Sequence, residues 1–215
     1  MDAAARKKLA KRLLDEAGTT YAEDAGIRLA DKPMPLFKLL TLCMLSSKPI
    51  DASIAGAAAR ELSRAGLRTP KAVLDADRAD MIRAFGRAHY VRYDESSATR
   101  LTDIARSVVD EYGGDLRALE GADDHDVAGL TRALKRFKGI GDTGADIFLR
   151  EVQDTWTWIR PYFDSRATTA ARELGLPTGS DELAALAPGK CAKLAAALVK
   201  ASLDDELRER VAAGG

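Results

Sequence analysis

Apolar residues recur along this chain at intervals of three and four, and strict alternation is nearly absent. That periodicity predicts helices from end to end and an all-α fold. Start and stop residues divide the pattern. Asp2 can cap a first helix that stops near Gly18. Pro35, at a first helical position, opens LFKLLTLCMLSS, apolar on nearly every face and so expected to be a central buried helix. Asp51 caps SIAGAAARELSRA before Gly66, and Pro70 and Asp77 begin two short helices ending near Gly86. A longer helix, from about Tyr93 to Tyr112, carries Leu101, Ile104, Ala105, Val108 and Val109 on one face and stops at Gly113-Gly114. GADDHD, residues 121–126, reads as an acidic loop or helix cap. Further helices are predicted near 127–137, 142–153, 165–174, 181–187, 189–201 and 203–212. With no low-complexity linker and no repeat, the expected architecture is two helical lobes. Residues 36–125 form one, and residues 1–35 with 126–215 form the other.

Composition narrows the function classes. Among 215 residues, Lys plus Arg and Asp plus Glu number 33 each, so the formal net charge is zero. That excludes a strongly basic nucleic-acid binder as a whole-chain property but leaves room for a local basic face. At 46% hydrophobic, the chain is no acidic disordered polymer. Cys43 and Cys191 are too few for a disulfide framework or a four-cysteine cluster, and their apolar settings predict buried thiols. No segment reaches the roughly 20 apolar residues of a bilayer span. The N-terminal stretch has five basic residues within Arg6 to Arg12 and no signal-peptide core, so a cytoplasmic protein is expected.

The segment that carries chemistry is LKRFKGIGDTGADIF, residues 134–148. A helix ends near Phe137, Gly139-Ile140-Gly141 makes a turn, and a second helix follows. The glycines permit positive φ and close backbone approach, and Ile140 anchors the turn. The second helix then presents unsatisfied amides around Asp142 to Gly144, which suit a phosphate oxygen. Lys135, Arg136 and Lys138 add local positive charge. Downstream, Asp164 precedes SRATTAAREL and reads as an N-cap.

This combination resembles the helix-hairpin-helix DNA glycosylase superfamily, which includes endonuclease III. Gly139-Ile140-Gly141, Ala145, Asp164 and Glu173-Leu174-Gly175-Leu176 match its G-[VI]-G turn, following alanine, aspartate before a helix and R-L-G-L-type ending. LTLCMLSSKPIDASI is similar to its early L-L-S-x-Q-T-x-D segment, so the likeness covers residues 36 to 177. The resemblance implies a helix-hairpin-helix at 134–150 and a cleft for double-stranded DNA holding a damaged or mismatched base. It implies DNA contacts from Lys138, Gly139, Gly141, Thr143, Gly144, Lys48 and Arg166, and a monovalent cation at the hairpin. Asp164 would be the catalytic carboxylate of a base-excision repair enzyme, acting as a monomer without other cofactors. A fixed carboxylate can stabilise the positive charge that N-glycosidic cleavage develops on the sugar, and can orient water.

The pattern also departs from the family. Thr143 stands where the bifunctional members carry the Schiff-base lysine, and no lysine occurs from Gly139 through Pro188. A hydroxyl cannot form an imine, so a monofunctional glycosylase is expected; lyase chemistry would need a non-standard lysine such as Lys138. The four-cysteine loop is missing, so no iron–sulfur cluster is expected. Two alternatives stand beside this reading: a non-catalytic DNA-binding module and a helical protein-interaction domain. Trp156, Trp158, Tyr162 and Phe163 are candidates for base stacking or for core. His89 and His125 read as surface or capping residues.

Overall fold

A computed structural model describes residues 1–120 and 125–213, and among them the regular structure is entirely helical. Residues 121–124 of the acidic stretch lie outside the described residues. Two units emerge, one of Met1–Thr20 with Leu149–Gly215 and one of Tyr21–Phe148.

The first helix, α1 (Ala3–Ala17), begins where the Asp2 carboxylate accepts a hydrogen bond from the Ala5 amide at 2.8 Å. It belongs to the discontinuous unit and buries Leu9, Ala10 and Leu13.

The continuous unit follows. It contains α2 (Tyr21–Asp24), α3 (Pro33–Ser46), α4 (Ala52–Arg64), α5 (Pro70–Leu74), α6 (Arg78–Arg87), α7 (Asp94–Tyr112) and α8 (Val127–Arg136). Its centre is α3, in which every residue from Leu39 to Leu45 is buried, as its all-round apolar pattern requires. The helix starts at Pro33 rather than Pro35, because first-turn positions have no intrahelical amide bond for a proline to lose. Asp51 caps α4 through the Ser53 amide at 2.7 Å, and hydrogen bonds from Ser53 hold its carboxyl below the usual range. Along α7, Leu101, Ile104, Ala105 and Val108 are buried, but Val109 is 39% exposed. Eight residues beyond Leu101, Val109 has rotated about 80° off the centre of the stripe. Two short elements without a helical period, α2 and the 3₁₀ turn Leu116–Leu119, were not expected from the sequence.

Tyr90 ties this unit together. Fully buried, its hydroxyl donates to the Leu45 carbonyl at 3.2 Å, which leaves Ser97 Oγ, at 3.3 Å, as donor to the phenol oxygen. Burial pushes the Tyr90 phenol above its ordinary value of 10.0, with the Ser97 hydrogen bond opposing. A raised folded-state value means full stabilisation below about pH 10 and its loss as pH climbs through the raised value. Tyr90→Phe leaves two buried groups short of a partner and should cost about 1–2 kcal/mol at neutral pH. Its melting temperature should then fall less steeply than the wild type's above pH 10. Parallel alkaline slopes in thermal melts would contradict this.

The helix α9 (Asp142–Val152) begins in the continuous unit, and its last turn belongs to the discontinuous one. Four more helices complete the latter: α10 (Ser165–Glu173), α11 (Ser180–Leu186), α12 (Cys191–Leu203) and α13 (Asp205–Ala213). Here α12 is central, with Leu194 through Val199 all buried. Helix α10, whose buried residues are all alanines, packs on the alanine-rich α12, and such small side chains let backbones approach closely. The Lys200 ammonium donates to the Thr19 carbonyl at 2.7 Å and hydroxyl at 2.8 Å, joining α12 to the chain just after α1. Cys43 and Cys191 are buried thiols in separate units. Burial, then the Asp154 charge, pushes the Cys191 thiol up.

This division differs from the one expected at 35/36 and 125/126. Residues from Tyr21 stay with the continuous unit because α2 packs on α4, and Ala22 and Ile27 are buried there. Residues 126–148 stay with it because Phe137 lies against Tyr112, ring centroids 5.6 Å apart. Among the described residues, no helix is long and apolar enough to cross a membrane.

Candidate functional site

Of the two glycines in the turn between α8 and α9, Gly139 has a positive φ and Gly141 does not. Asp126 caps α8 by accepting from the Ala128 and Gly129 amides at 2.9 and 2.8 Å, which lowers its carboxyl pKa. After Arg136 the chain reverses through Gly139, whose φ of +94° belongs to glycine, and the Ile140 amide bonds the Phe137 carbonyl at 3.0 Å. Phe137 and Ile140 are buried and anchor the turn. A Cβ at Gly139 would lie 2.8 Å from Arg100 Cδ and 3.4 Å from Met44 Cγ.

Beyond the turn, Gly141, Asp142 and Thr143 are exposed, and the positive end of the α9 dipole sits there. Gly141 has open space where a side chain would go. Gly144 does not. It is buried, and a Cβ there would lie 2.7 Å from Ser47 Oγ. Its small size lets α9 pack against the end of α3, so the expected exposure of Gly144 to DNA is corrected to a packing role.

The basic residues of the hairpin are not free charges. Lys135 pairs with Asp142, Arg136 with Glu111 at 2.6 Å and Lys138 with Asp103 at 2.9 Å. All three pairs reach solvent, and exposed pairs contribute only about 0–1 kcal/mol, so a phosphate can compete for these cations. Still, the positive field expected from Lys135, Arg136 and Lys138 is largely offset locally. Among the described residues, Lys48, Arg92 and Arg100 have no carboxylate within ion-pair distance, and all three lie in the same unit as the hairpin. Sequence reasoning singled out Lys48 and missed Arg92, Tyr93 and Arg100; the basic–aromatic run VRY was the available signal.

Asp164 lies in the other unit. It is the N-cap of α10, as expected, and its Oδ1 accepts from the Ala167 amide at 2.8 Å. Its Oδ2 is bound by Arg150 Nη1 from the last turn of α9. Both side chains are buried, Arg150 at 4% exposed and Asp164 at 3%. Glu151, fully buried, brings Oε1 to 3.9 Å from Arg150 Nε. Gln153 holds the intervening chain: its Nε2 donates to the carbonyls of Arg150 and Tyr162 at 3.1 and 2.8 Å, and its Oε1 accepts from the Tyr162 amide at 2.8 Å. The Arg160–Pro161 peptide between them is cis. An aspartate so placed is held by a guanidinium and a backbone amide and nearly cut off from water.

Of the flanking arginines, Arg166 is exposed, and Arg160 pairs with Asp154 at 2.8 Å. Asp154 also accepts the Ala192 amide at 3.1 Å near the start of α12. Trp156 and Phe163 are core, and Trp158 and Tyr162 are half-buried. His89 is exposed beyond the end of α6 with φ of +57°, and His125 has φ of +62°. Compared with protein-family models and with curated proteins, the chain matches none.

Proposed function

We propose that this chain is a base-excision DNA repair protein of the helix-hairpin-helix kind, a monofunctional DNA N-glycosylase with Asp164 as its carboxylate. The observation that carries the reading is the turn itself. Positive-φ Gly139, buried Ile140 and exposed Gly141 to Thr143 present the start of α9 to a phosphate of the DNA backbone. Lys138, Lys48 and Arg166 supply charge to that backbone. For a monovalent cation, the Phe137 and Gly141 carbonyls are taken by the Ile140 and Ala145 amides, which leaves those of Lys138, Gly139 and Ile140 as oxygen donors. Lysine chemistry has no support, because Thr143 replaces the usual amine and Lys138 is engaged by Asp103.

For catalysis, the target nucleotide leaves the stack at a cost of a few kcal/mol, least for a damaged base. An ionised Asp164 then stabilises positive charge on the sugar. One observation favours a second reading, a non-catalytic DNA-binding module: the Asp164 carboxylate is buried and already neutralised by Arg150.

A single experiment separates the two. Base release is measured on duplexes carrying uracil, alkylated, oxidised and mismatched bases, alongside binding of the same duplexes. Release from any of them, with binding weakened at least tenfold by Gly141→Glu, supports the glycosylase. Gly141 has open space around it, so this variant should fold normally while placing a negative charge at the phosphate site. Binding without release across the whole panel establishes the module instead. Absence of binding refutes both.

A further inference from the structure

The hairpin's own cations are paired and reach a phosphate only in competition with a carboxylate, so unpaired positive charge for a nucleic acid is to be sought elsewhere on the same unit. It is found where the chain leaves α3 and where it enters α7. Lys48 follows Ser47, the residue against which Gly144 packs, so its position adjoins the hairpin. Tyr93 is the N-cap residue of α7 and is half-buried. The Lys48 ammonium lies 5.6 Å from the Tyr93 ring centroid, and the Arg92 guanidinium lies 5.3 Å from it. Two cations are thus gathered on one ring.

Like charges brought together repel unless something compensates them, and here the compensation is the quadrupole of the ring rather than a carboxylate. The acidic residues that follow in sequence are otherwise occupied. Asp94 accepts from the Glu95 amide at 2.6 Å, and Glu95 pairs with Arg78. A ring orients cations without neutralising them, so the site is preorganised and still positive.

We propose that Lys48 and Arg92, held in place by Tyr93, form a two-cation clamp on the phosphodiester backbone of DNA beside the hairpin. The proposal rests on the DNA-binding reading given above and adds Arg92 as a contact residue and Tyr93 as a positioning residue. Each cation neutralises one phosphate, so each contributes about 0.9 to the logarithmic salt slope of binding.

The test uses the full chain and a fluorescein-labelled duplex containing a tetrahydrofuran abasic analogue, with anisotropy titrations between 50 and 200 mM salt. Removing two phosphate contacts in Lys48→Ala/Arg92→Ala should shrink the wild-type loss of affinity over that range by about tenfold. Tyr93→Leu should weaken binding and flatten the slope in the same direction, and Tyr93→Phe, which keeps the ring, should restore both. Thermal melts check that each variant is folded. A wild-type slope in the double variant, or equal behaviour of Tyr93→Leu and Tyr93→Phe, overturns the clamp. If Gly141→Glu abolishes binding and the double variant is unaffected, the clamp alone fails and the DNA reading stands. No binding by the wild type ends both. Polyglutamate that displaces the duplex as well as an unlabelled duplex of equal charge would also overturn the assignment to DNA.

Discussion

Asp164→Asn should lower the free energy of unfolding by about 3 kcal/mol, although asparagine can still cap α10 through the Ala167 amide. The loss comes from Arg150, which remains buried without its charged partner. Arg150→Met should cost more, about 4–5 kcal/mol, because it withdraws the guanidinium from two buried carboxylates, Asp164 and Glu151. In Arg150→Met/Asp164→Asn, the cost should fall well short of the sum of the singles, since the second change removes a charge that the first has stranded. Urea unfolding followed by circular dichroism measures the cycle, and additive losses would contradict the buried pair. The cycle also bears on any activity assay. Loss of base release in Asp164→Asn tests the chemistry only at temperatures where the variant is shown to be folded.

Trp156→Ala should cost about 3–5 kcal/mol, by the loss of a large buried ring and the cavity left behind. Trp156 is 1% exposed and opens the 3₁₀ turn Thr157–Ile159, where its amide bonds the Val152 carbonyl at 2.8 Å. It therefore fastens the segment between α9 and α10. The same variant decides whether this aromatic stacks on a base. A buried ring predicts that the folded protein binds DNA as the wild type does, even as its urea midpoint drops. A weakened complex at full folding would show that the ring reaches DNA.

The parts of the fold legible in the sequence are those governed by neighbours one turn away. The aspartates at positions 2, 51, 126 and 164 each accept from an amide two or three residues on, and the stripe Leu101, Ile104, Ala105, Val108 is buried. Such features depend on local geometry alone. Long-range pairing was not legible. Nothing in LREVQD marks Arg150 as buried, because its burial depends on how the chain from Val152 to Asp164 returns to it. The ion pairs that offset Arg136 and Lys138 were equally hidden, since Glu111 and Asp103 belong to a helix some 25 or more residues away in sequence. Gly144 looked like part of a phosphate site because its neighbours do, and only the position of Ser47 shows that its missing Cβ is needed for packing. Arg92 and Tyr93 became meaningful only when Lys48 was found over the same ring.

The discontinuity of one unit bears on how the chain is made. Helix α1 leaves the ribosome well before α12, against which it packs and which follows it by more than 170 residues. At about 5–20 residues per second, Leu9 and Leu13 wait roughly 10–35 s for their partner. The unit Tyr21–Phe148 has all its own helices in hand during that interval and can fold in sequence order. A nascent chain stalled before Cys191 would therefore carry one folded body with an uncovered amphipathic helix at its front, the form most in need of a chaperone.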